Sequence, residues 1–130
     1  MALFNVKTFG RFARKNSVSG GELHDAAEDI QAGNFDADLG GGLFKQRVAR
    51  YGGGKSSGYR VIVSCATDRH VFFLHGFPKN KKDNVSPKEL KALQALGKVL
   101  SGLGEQEIQK AVEDGAIEEV QDDREQRQEN

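Results

Sequence analysis

The chain has a single cysteine, Cys65, among its 130 residues. One thiol cannot close an intramolecular disulfide and cannot build a zinc site by itself. It lies in a β-branched, apolar run, where a small core residue is the simplest reading. No set of Asp, Glu, His or Cys has metal-ligand spacing, so neither a metal nor another cofactor is expected. No apolar run is long enough to span a bilayer, and the N-terminus lacks the basic-then-apolar pattern of a signal peptide. A soluble, cytoplasmic protein with no membrane contact is expected. The length suits one domain.

Net charge is lacking too, since nineteen Lys and Arg balance nineteen Asp and Glu. The balance hides an asymmetry. Residues 1–100 hold sixteen cations against nine anions, and residues 101–130 hold three against ten. Within residues 41–82 there are nine cations and one anion. A basic centre with an acidic end points to an anionic partner for the centre, with nucleic acid first among the candidates. The bland reading is a solvated face whose charges aid solubility.

The basic centre contains "YGGGKSSGYR", residues 51–60, whose Gly54-Lys55-Ser56 looks like the end of a phosphate-binding P-loop. That motif needs a glycine at position 49, where Ala49 stands, and a helix straight after. "YRVIVSCA" (59–66) follows instead and reads as a strand. Without a helix N-terminus a phosphate has no row of free N–H groups to meet. The stretch is better read as a Gly/Ser loop joining two strands. It lets the backbone and Lys55 approach a phosphate chain closely.

Residues 2–9 alternate like a strand and a short basic helix, "GRFARKN", follows. Ser19 stands three residues before Glu22, a capping-box spacing, and Leu23, Ala26, Ala27 and Ile30 then form a helical stripe that Gly33 stops. His24, Asp25, Glu28 and Asp29 fall off that stripe and are expected to face solvent. Residues 34–42 read as a loop. "LFKQRVAR" (43–50) is the next strand, with Leu43, Lys45, Arg47 and Ala49 on one face and Phe44, Gln46 and Val48 on the other. "HVFFLHGF" (70–77) is a nearly apolar and therefore central strand, entered through an Asp68-Arg69 turn. Its His70 and His75 are five apart, so strict alternation puts them on opposite faces. Ser86, Pro87 and Glu89 open a helix whose stripe is Leu90, Leu93, Leu96 and Leu100. A shorter helix runs over about 105–114, and 121–130 lacks apolar residues and reads as a disordered tail. The fold class is α+β, with an antiparallel sheet, early helices on one of its faces and a helical extension at the C-terminus.

If three strands form a meander, Lys45, Arg47 and Arg60 share one region, with Lys79, Lys81 and Lys82 at the end of the last strand. Such a face binds RNA, or cuts it. Cleavage by the ribose 2′-hydroxyl needs a base, charge stabilisation at phosphorus and an acid at the leaving oxygen. Arginine suits the phosphorane. A lysine crowded by like charges, or a histidine such as His75 bordering the face, suits proton transfer. Spacing alone does not separate the binding face from the catalytic one.

"LGGGLFKQRVARYGGGKSSGYRVIVS" and then "FFLHGFPKNKKDNVSPKELKALQALGKVL" resemble the RelE/ParE superfamily of type II toxins. The likeness is to its RelE-like, HigB-like subgroup and runs from about Leu3 to Val120. It implies a toxin domain over 1–120 with a RelE-like microbial RNase-type fold. It further implies a ribosome-dependent mRNA endoribonuclease, an mRNA interferase that inhibits translation without a metal. By position, the resemblance makes Lys45, Arg47, Arg60 and Lys79 the catalytic cations. Arg50, Lys55, Tyr59, Lys81 and Lys82 are expected to bind RNA, and His75 is a candidate acid or base. Asn80 and lysines stand where RelE has an arginine, and Ser86 stands about where a tyrosine would follow, so the general acid and base stay open. The resemblance also implies the ribosome and mRNA as partners, and a cognate antitoxin that often binds DNA. An acidic antitoxin segment would suit the basic face, and the chain's own acidic end is expected to be able to shield it. The alternatives are a DNA gyrase inhibitor of the ParE type and a non-catalytic RNA-binding regulator.

Overall fold

The computed structural model describes residues 1–48, 58–67, 69–78 and 85–126. Strand β1 (Ala2–Val6) leads directly into helix α1 (Lys7–Lys15), and helix α2 (Gly20–Gln31) follows. Three strands come next among the central residues after a short β2 (Ala37–Gly40): β3 (Leu43–Val48), β4 (Tyr59–Ser64) and β5 (His70–Pro78). Helices α3 (Pro87–Ser101) and α4 (Glu105–Glu113), strand β6 (Ile117–Glu119) and a 3-10 turn at Arg124–Gln126 complete the chain. The strands form one sheet in the order β2-β3-β4-β5-β1-β6. β3, β4 and β5 make the expected antiparallel meander. β1 inserts beside β5 in parallel, and β6 closes against it antiparallel. The class is α+β, as expected. No helix among the described residues is long and apolar enough to cross a membrane.

Several sequence expectations change here. The region 34–42 is not all loop, because β2 pairs with β3 through a tight turn. Gly41 and Gly42 both have φ near +60 to +80°, the left-handed region that a two-residue hairpin demands of both central positions. Helix α1 starts at Lys7, three residues before the expected point, so Phe9 is a helical core residue and not a strand one. Cys65 lies just past β4 and is half-buried, its N–H donating to Gly42 O at 2.8 Å. The turn residue Asp68 lies outside the described residues.

Helices α1 and α2 cover one face of the sheet. Phe9 stacks on Phe73 with ring centroids 5.5 Å apart. Phe12 lies flat against the backbone of Gly76, so close that an added Cβ would overlap its ring. Ser19 caps α2 through the reciprocal bonds read from its spacing, and Leu23, Ala26, Ala27 and Ile30 are buried. On the other face α3 packs at Gly97, where a Cβ would come within 3.1 Å of both Leu43 and Ser64 side chains. That face is therefore only partly open.

His24 and the C-terminal residues depart furthest from expectation. His24 is only 12% exposed, and its Nε2–H donates to Val120 O at 3.1 Å. Residues 121–126, read as part of a disordered tail, lie across the start of α2. Gly21 N–H donates to Asp123 Oδ1 at 2.6 Å. Arg124 pairs with Asp25 at 3.1 Å, with Glu28 at 2.8 Å, and with Asp122. Gly20 lets Gln121 O approach where a Cβ would collide with it. The side-chain hydrogen bonds from Arg124 hold the Glu28 and Asp122 carboxyls below the usual carboxylate range.

Two outcomes follow from this packing. Gly76→Ala must push Phe12 off the sheet and should cost about 1–3 kcal/mol, read as a lower denaturation midpoint in urea. Arg124→Ala should lower the melting temperature slightly at neutral pH, where the lowered carboxyls contribute in full. That difference should begin to shrink as pH falls below about 4, where the unfolded chain takes up protons that the folded carboxyls still refuse, and vanish only once pH has fallen through their lowered folded values. A pH series of thermal melts on the two proteins checks the sign.

Candidate functional site

The ladder between β3 and β4 sets the geometry. Its register pairs Lys45 with Ile62 and Arg47 with Arg60. The β4–β5 register continues those rows to His75 and Phe77. Directly paired residues point to the same face, and residues two apart on one strand share it. Lys45, Arg47, Arg60, His75 and Phe77 therefore form one patch on the face opposite α1 and α2. Arg47 is exposed, and Lys45 and His75 are partly buried.

Two arginines opposed on neighbouring strands repel, and such pairs destabilise a sheet. Asp36 answers this. The Arg60 side chain is only 18% exposed, and its Nε donates to Asp36 Oδ2 at 2.7 Å. Asp36 sits just before β2, with its own N–H bonded to Lys45 O at 3.0 Å. The segment is fastened further by Gln46, whose Nε2 donates to Asn34 O at 2.7 Å and whose Oε1 accepts from Arg47 N at 2.9 Å. Arg60 thus reaches across β3 to a fixed carboxylate. Its Nη1 is buried without a hydrogen-bond partner among the described residues. A guanidinium has five N–H donors, so the Nε bond orients it and leaves donors for an anion.

His75 shares the face with His70, contrary to strict alternation. The register slips between Ile62 and Val63, where Leu74 is the extra residue of a β-bulge. One inserted residue returns the fifth position to the same side. Their surroundings differ. His70 contacts Glu105 at 3.0 Å and rests among the rings of Phe4 and Phe72. His75 lies beside Phe77, with ring centroids 5.9 Å apart, and borders a cavity of about 170 Å³ with Val85, Glu89, Ala92 and Leu93.

Tyr59 does not join the patch. Its ring meets Phe12 of α1 edge-on at 5.5 Å, on the helix-covered face. Arg50, Lys55, Lys79, Lys81 and Lys82 lie outside the described residues. Val48 and Pro78, which precede those segments, both pair with Tyr59. The chain thus leaves the sheet towards both segments from the end that carries Arg47 and Arg60. Several of the described carboxylates of the C-terminal end are engaged elsewhere: Glu105 with Arg69 and His70, Glu118 with Arg14, and Asp122 with Arg124. Those three carboxylates are thus turned to other partners than Arg47 and Arg60.

A cleft of about 680 Å³ adjoins the patch, between α2 and the edge of β3. Asp25, Glu28, Asp29 and Asp36 line it, with Arg47 at its border. Its negative walls repel a phosphate chain, so the face of the strands and not the cleft suits an RNA. Asp36 is the member of the site that sequence reasoning missed. Its signal was weak: an acid just ahead of the "LGGG" turn, in a stretch assigned to loop.

Comparison with curated proteins returns no match. Residues 1–120 match a protein-family model described as the RelE toxin of the RelE / RelB toxin-antitoxin system. Among the described residues the match takes in every strand of the sheet and the four α-helices, from Ala2 to Glu119. With the open basic patch on a mostly antiparallel sheet, it shows that the chain belongs to the RelE toxin family of toxin–antitoxin systems.

Proposed function

We propose that this protein is a cytoplasmic, ribosome-dependent mRNA endoribonuclease, held inactive by a cognate antitoxin. The observation that carries the reading is the opposed pair Arg47 and Arg60, with Arg60 oriented through Nε by Asp36. The 2′-oxygen attacks the adjacent phosphorus as a base removes its proton. The bond to the 5′-oxygen breaks as an acid protonates that oxygen, leaving a 2′,3′-cyclic phosphate and a 5′-hydroxyl. Negative charge grows on the non-bridging oxygens in between. Arg60 and Arg47 suit that charge because they stay protonated and present several donors. Lys45 and His75 flank the pair on the same face, and Lys79 directly follows the end of β5, so these three supply the candidates for proton transfer. The buried donor on Arg60 supports an oxyanion ligand at this point.

Primer-extension mapping of mRNA after induction tests the reading. The wild type should create new ends inside translated regions, and Arg60→Ala should reduce them by about 10²–10³-fold. Growth arrest with intact mRNA would point to gyrase or another target, and neither arrest nor cleavage to a non-catalytic regulator. Asp36 acts through Arg60, so Asp36→Ala should lower kcat with little change in KM. Asp36→Asn, which keeps an acceptor for Nε, should recover part of that loss. Equal defects in both variants, mainly in KM, would remove the positioning role.

A further inference from the structure

Helix α3 carries more apolar surface than its seat on the sheet needs. The sheet side uses Leu90, Leu93, Gly97 and Leu100. Leu96, expected in that stripe, is instead 37% exposed, and Val99 is 64% exposed. They are two of the four exposed large apolar side chains among the described residues, and they lie within one turn. Ala92 and Ala95 are exposed beside them. Positions 92, 95, 96 and 99 form a second stripe at helical spacing, turned to solvent, where a surface helix is ordinarily polar. Lys88, Lys91 and Lys98 border it and are exposed. Glu89, the only carboxylate within α3 itself, accepts from Ser86 N at 3.0 Å in the helix cap.

We propose that this outer face of α3 docks an acidic amphipathic helix of the antitoxin. The inference rests on the antitoxin of the proposed function and not on the RNase chemistry. Small side chains at 92 and 95 let a second helix approach to about 8–10 Å. Leu96 and Val99 offer it apolar contact, and the three lysines select carboxylates along its flanks. A second copy of this chain is a poor occupant, because it would bring six lysines together. The face is also short. Fifteen residues span about 22 Å, too little to bury the roughly 800 Å² per partner of a stable dimer. RNA is a poor occupant as well, since aliphatic side chains offer it neither donors nor a stacking surface. The helix is therefore an auxiliary seat, adding affinity to an antitoxin that also engages the toxin elsewhere.

The test titrates the full-length toxin with its cognate antitoxin by calorimetry. Val99→Asp and the pair Lys91→Glu/Lys98→Glu alter only exposed positions, so both variants should keep the wild-type circular dichroism. Each should raise Kd at least tenfold while leaving mRNA cleavage by the free toxin unchanged. A photo-crosslinker at position 99 should capture an antitoxin segment with acidic residues flanking an apolar stripe. Unchanged Kd in both variants would overturn the proposal. So would a crosslink to a second toxin chain or to RNA. Cleavage is scored separately, so loss of the RNase reading leaves the docking result standing.

Discussion

Arg47 and Arg60 face each other across two paired strands, and the pair is tolerable because Asp36 reaches Arg60 at 2.7 Å. Much of the molecule serves that arrangement. The glycine turn at 41–42 brings β2 alongside β3, which places Asp36 at the strand edge. Gln46, buried on the helix side, ties the preceding segment down. Helices α1 and α2 give the sheet a firm back, and the cations stand on the opposite face, with Arg47 exposed and Arg60 largely buried. The carboxylate stabilises the ladder and fixes the direction of a guanidinium in one contact.

Where local chemistry decided the outcome, the sequence was legible. Both capping boxes, Ser19 with Glu22 and Ser86 with Glu89, form as their spacing implied. Gly115, the expected stop after the last helix, sits at φ +80°. The meander and the adjacency of Arg47 and Arg60 followed from period-two alternation. Long-range features were not legible. The bulge at Leu74 depends on how β5 meets β4, and it alone moves His75 to the other face. His24 looked solvent-facing until the C-terminal residues covered it. β6 is three residues long and exists because β1 offers it an edge. Leu96 obeyed the leucine spacing, yet Gly97, with no side chain, occupies the closest approach to the sheet. A pattern of hydrophobic residues records which are apolar, and not which of two stripes a neighbour will cover.

The described end of the chain has a structural place that its composition hid. A polar segment needs no apolar anchor when an arginine finds three carboxylates and a pair of glycines allows the backbone to lie against a helix. These contacts are exposed enough to be individually modest. Together they join the last residues to α2, the helix that also forms one wall of the acidic cleft.

The position of β1 carries one more consequence. Among the described residues β1 is bound only by β5 and by β6, near residues 70 and 118. It stays unpaired until β5 has been made, and the sheet closes only after β6 follows it. Contacts of such sequence separation slow folding. During translation the chain carries its arginines on an unfinished scaffold until β6 has been made and can close the sheet.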